Sequence, residues 1–73
     1  MTQQPHTAIE DYSKAIKLQQ HFLAAYQERA RVYYAVGEYN LGIKDITFAL
    51  HLSSKNKTSL NIKALLLEKS GNH

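Results

Sequence analysis

Four histidines, six acids and nine basic residues are the side chains that could carry chemistry in this 73-residue chain, which has no cysteine. No two of His6, His21, His51 and His73 stand four apart on a helix, so the spacing by which one helical face grips zinc is missing. A catalytic reading would need a glycine-rich phosphate loop, a nucleophile beside its base, or two carboxylates in one pocket. The sequence offers none of the three, and one small helical layer encloses little volume. The expectation is a chain that is not an enzyme and uses no metal and no cofactor. Glu28 and Arg31, three residues apart, read as a surface ion pair, and His51 reads as exposed.

The formal net charge is +3, and the basic residues are spread along the whole chain. That distribution aids solubility without forming a concentrated nucleic-acid footprint. Arg29, Arg31, Tyr33 and Tyr34 are the residues a groove-reading helix would use. Tyr33, however, belongs to an apolar stripe, and Glu28 and Glu38 flank the arginines, so nucleic acid is not an expected partner. The longest apolar runs, Phe22 to Tyr26 and Ala64 to Leu67, fall far short of the ~18 residues of a membrane span. No helix pairs a continuous apolar face with a strongly basic one, as interfacial anchors do, so no membrane partner is expected. The N-terminal residues lack a secretory pattern, and the expected location is cytoplasmic.

The elements that position these side chains are read from apolar spacing. Ala8, Ile9, Tyr12, Ala15 and Ile16 line one helical face; Phe22, Tyr26, Ala30 and Tyr33 a second; Tyr39, Ile43, Ile46, Ala49 and Leu50 a third. A fourth stripe is Leu60, Ala64 and Leu67, with Ile62 and Leu66 on an adjacent face. Pro5 suits the first turn of helix one, with Thr7 and Glu10 as a capping box if that helix starts late. Gly37 and Gly71 suit left-handed helix ends, and Ser53 to Asn56 separates helices three and four. Short connections make neighbouring helices antiparallel.

An internal repeat ties the stripes together. Ala8 to Leu18 aligns with Gly42 to Leu52 at an offset of 42 − 8 = 34, with Ile9/Ile43, Asp11/Asp45, Ala15/Ala49 and Leu18/Leu52 identical. About one identity is expected by chance at ordinary composition. The same offset pairs Tyr26 with Leu60, Arg29 with Lys63, Ala30 with Ala64, Tyr33 with Leu67 and Gly37 with Gly71.

A two-helix unit of this period resembles the tetratricopeptide repeat family. The resemblance is carried by Tyr26, Ala30, Tyr33, Gly37, Tyr39, Gly42, Ile46 and Ala49, where the family keeps large, small and turn residues in that order. It departs from the family in having Gln20 and Ser54 where a repeat-ending proline is common, and Gly42 where alanine is usual. The fold it implies is all-α: antiparallel helix pairs, about four helices in all, stacked as a short tetratricopeptide-like α-solenoid. A full repeat at 23–56 is flanked by half repeats at 4–22 and 57–73 of one domain.

The function it implies is a protein-interaction scaffold that holds a partner peptide or helix in a concave groove. Carried over by position, that groove presents Ala24, Gln27, Arg31 and Tyr34, then Thr58, Asn61, Leu65 and Glu68. The family's carboxylate clamp for chaperone tails is not matched, because its positions hold Gln27, Glu28, Arg31, Thr58 and Ile62. Half repeats at both ends leave apolar residues without a neighbour, namely Ala8, Tyr12 and Ala15 at one end and Ile62, Leu65 and Leu66 at the other. Self-association into a homo-oligomer, or membership of a longer protein, is the alternative expectation. Asp11 with Arg29 and Asp45 with Lys63, each 18 residues apart, are expected to form matching interhelical ion pairs.

Overall fold

Four helices follow one another in the computed structural model: α1 (Pro5–Leu18), α2 (Leu23–Val36), α3 (Tyr39–Leu52) and α4 (Lys57–Ser70). The structure describes residues 5–19 and 22–71, with side chains from Thr7, and no strand occurs among them. His21, His73, Gln20 and the side chain of His6 lie outside the described residues. The helix bounds repeat at the interval read from the sequence: 39 − 5, 52 − 18, 57 − 23 and 70 − 36 all equal 34.

Local chemistry explains the start of α1, the end of α2 and both ends of α4. α1 begins at Pro5, whose fixed φ and missing donor suit the first helical position. Thr7 therefore lies inside the first turn, which removes the capping box expected of Thr7 and Glu10. Gly37 and Gly71 end α2 and α4 with φ of 84° and 82°, the left-handed conformation that only glycine adopts without strain. The Gly37 N–H donates to the Tyr34 carbonyl and the Glu38 N–H to the Tyr33 carbonyl, which closes the last turn of α2. Asn56 caps α4 by accepting from the Ser59 N–H at 3.0 Å.

The core lies where α2, α3 and α4 meet and consists of Ala30, Ile46, Ala49, Ile62 and Leu66, with Leu23, Tyr26, Tyr34, Tyr39 and Ile43 packed around it. Gly42 sets the closeness of α3 and α4. A Cβ at Gly42 would stand 2.7 Å from Leu66 Cδ2 and 3.3 Å from the Ala30 carbonyl oxygen. Among the described residues α1 packs against α2 alone, whereas α2 touches the other three helices.

Two expectations are corrected here. Ala8, Ile62 and Leu66 are buried, and Tyr12 and Ala15 are half-buried, so these residues are not open apolar ends. Ile62 and Leu66 fill the core, and on α4 the leucines left outside are Leu60 and Leu65. The ion pairing is also different. Arg29 forks onto Asp45, 16 residues away, with Nε to Oδ2 at 2.5 Å and Nη2 to Oδ1 at 2.7 Å, and its Nη1 donates to Ser13 Oγ at 2.9 Å. Asp45 thereby has both oxygens on Arg29 rather than on Lys63, and Arg29 bridges α1, α2 and α3.

Candidate interaction groove between α2 and α4

α2 and α4 lie side by side, and side chains from both meet over the seam. Arg31 and Tyr34 from α2, with Thr58, Asn61, Ile62 and Leu65 from α4, line a hollow of about 190 Å³. The i, i+3 step from 31 to 34 and the i, i+3, i+4 steps 58, 61, 62 and 65 keep each set on one helical face. A second hollow of about 490 Å³ continues along α4, lined by Asn61, Ala64, Leu65 and Glu68. Arg31, Tyr34, Thr58, Asn61 and Leu65 thus line one hollow, and Glu68 lines its neighbour.

Ala24 and Gln27 stand apart from both hollows. Ala24 is exposed on the first turn of α2. Gln27 acts as a structural tie between helices, because its Nε2 donates to Asn56 Oδ1 at 2.9 Å and to Ser59 Oγ at 2.8 Å. Ser59 is fully buried, and this bond satisfies a hydroxyl that would otherwise destabilise the α2–α4 seam by roughly 1–3 kcal/mol. The Asn56 cap and its link to Gln27 escape a sequence reading centred on apolar stripes, although the Asn56-Lys57-Thr58-Ser59 order carries the cap signal.

The groove side chains differ in how firmly they are held. Tyr34 packs on the core, and its ring lies 6.1 Å from that of Tyr39 at 57°, a tilted aromatic pair. Arg31 is exposed and forms no ion pair with Glu28 among the described residues, so the expected surface pair is not made and its guanidinium faces solvent. Leu65 is 45 % exposed, an apolar side chain standing at the rim. A fixed ring, a solvated cation and an accessible apolar side chain can together hold one side chain of a partner and a carboxylate beside it.

A larger hollow of about 690 Å³ lies on another side of α2, lined by Tyr26, Arg29, Lys44, Asp45, Thr47, Phe48, Leu50 and His51. Its interior groups are engaged with each other. The Tyr26 and Phe48 rings lie 4.6 Å apart, Phe48 stacks on the exposed His51, and Arg29 sits within 6 Å of the Tyr26 and Tyr33 rings while bound to Asp45. The Asp45 hydrogen bond and charge raise the Arg29 pKa further against the opposing effect of burial, so this guanidinium stays charged at every ordinary pH. Arg29 and Tyr33 therefore face away from Arg31 and Tyr34, which separates the four residues that a nucleic-acid reading would combine.

Compared with known proteins, the chain matches no family model, no curated protein and no solved structure. Among the described residues no helix is long and apolar enough to cross a membrane.

Proposed function

We propose that this chain is a protein-interaction module of the tetratricopeptide type, which docks a peptide or helix of a partner protein along the α2–α4 groove. The observation that carries this reading is the convergence of Arg31, Tyr34, Asn61 and Leu65 on one hollow. Arginine and tyrosine are the residue types that most often dominate binding energy when clustered around a small pocket. The hollow of about 190 Å³ is smaller than the ~300–1,000 Å³ typical of small-molecule sites, so it suits one partner side chain rather than a whole metabolite. Arg31 favours a partner with a carboxylate next to that side chain. The period, the αL glycines and the close approach at Gly42 support the family reading. A scaffold acting in the cytoplasm, without catalysis or cofactor, fits this surface.

The test uses peptides selected from a random display library on the immobilised chain, with affinities then measured against variants. Arg31→Glu and Leu65→Asp alter exposed side chains and leave the core intact; each is expected to weaken the selected peptides at least about tenfold. His51→Ala, on the other hollow, should leave them unchanged. Undiminished binding by both groove variants contradicts the proposal.

A further inference from the structure

The 34-residue repetition also shows which surface of α4 has no counterpart to its cover. On α2, the face bearing Tyr26, Arg29 and Ala30 is covered by α3 through the Arg29–Asp45 pair, the Tyr26–Phe48 ring contact and the core around Ala30. Shifted by 34, the same face of α4 carries Leu60, Lys63, Ala64 and Leu67. Leu60 is 47 % exposed there, and Ala64 is exposed as well, whereas Ala30 is fully buried. The complementary surface is on α1. Asp11, Lys14 and Leu18 occupy the positions of Asp45, Phe48 and Leu52, and Leu18 is 89 % exposed while Leu52 is half-buried.

We infer that α1 of a second copy of this chain docks on the Leu60, Lys63, Ala64 and Leu67 face of α4, reproducing between molecules the contact that α3 makes with α2 within one. Charge complementarity selects this occupant. Lys63 meets Asp11 of the second copy as Arg29 meets Asp45, and the small Ala64 admits the incoming helix as Ala30 admits α3. Because the contact repeats the step that relates α1–α2 to α3–α4 within one chain, successive copies are related by that same step and not by a twofold axis, so the contact is heterologous and continues from copy to copy. Each added copy also brings its own α2 alongside α4, next to the hollow lined by Asn61, Ala64, Leu65 and Glu68, and so lengthens the proposed docking groove.

Sedimentation equilibrium of the pure chain from about 5 to about 500 µM is the test, a range suited to a modest interface. The expected result is a mass that rises beyond two chains with concentration. Lys63→Asp and Asp11→Lys should each weaken association at least about tenfold, because each places like charges across the contact. An equimolar mixture of the two variants should recover it, since the new acid on α4 of one meets the new base on α1 of the other. Leu60→Glu, at an exposed site, should give a monomer with unchanged helical circular dichroism. A strict monomer throughout, which leaves the face to another protein or to a helix of the same polypeptide, overturns the inference. So does a species that stops at two chains, or a mixture that fails to recover association. Arg31→Glu should leave the mass unchanged, which separates this contact from the groove.

Discussion

α2 and α4 are equivalent helices in different surroundings. α2 is flanked by α1, α3 and α4, and its Arg29 ties it to two of them, α1 and α3; α4 touches α2 and α3. Equivalent positions consequently differ in exposure according to neighbours and not according to residue type. Ala25 and its counterpart Ser59 are both buried, one apolar and one polar, and the polar one is accommodated because Gln27 of α2 donates to its hydroxyl oxygen. Leu60, in contrast, is far more exposed than its chemistry suggests, because its counterpart Tyr26 has α3 above it and Leu60 does not. Position in the array decides burial, and composition follows only where a neighbour is present.

The largest difference between the two faces of α4 is expected at Leu66. Leu66→Ala empties a fully buried site and should destabilise by about 2–5 kcal/mol, whereas Leu60→Ala, on the uncovered face, should change stability by less than about 0.5 kcal/mol at low concentration. Urea denaturation of both variants measures the difference, and equal losses would erase the distinction between the two faces of α4. Next in size is Gly42. Gly42→Val forces Leu66 and the Ala30 carbonyl apart and should destabilise by about 1–3 kcal/mol. Gly42→Ala should cost less, because helix propensity returns about 1 kcal/mol.

Smaller effects concern the helix starts. Asn56→Ala removes the α4 cap and should destabilise by about 1 kcal/mol in thermal unfolding. Its counterpart in α2 is Phe22, which makes no side-chain cap and is partly exposed. Phe22→Asn should therefore stabilise the chain by about 0.5 kcal/mol, and a loss there would mean that the Phe22 ring contributes packing that outweighs a cap.

Much of this organisation is legible in the residues. The period, the four helices and the two glycine ends follow from helical spacing and turn chemistry, because side chains three and four apart share a face whatever lies around them, whereas the grouping of Arg31 and Tyr34 with Asn61 and Leu65 across two helices is expected only from the family resemblance. What spacing leaves open is which of two faces a neighbour covers. α4 carries both Ile62 with Leu66 and Leu60 with Leu67, and only the placement of α3 shows that the first pair is inside. The partner of Arg29 is hidden for the same reason. An acid lies 18 residues before it and another 16 after it on the helices to either side, and the choice of Asp45 depends on the direction in which Arg29 leaves α2. Gln27 is drawn out of the groove by Asn56 and Ser59, a polar link with no apolar signature.

The contact between α2 and α3, centred on Arg29 and Asp45, is the pattern from which the uncovered face of α4 is inferred. A double-mutant cycle in urea with Arg29→Ala and Asp45→Ala, run beside the same cycle with Asp11→Ala, tests it most directly. The predicted result is a coupling of about 1–3 kcal/mol for Arg29 with Asp45, clearly larger than that of Arg29 with Asp11. The reverse ordering would place α2 against the wrong neighbour and contradict the account.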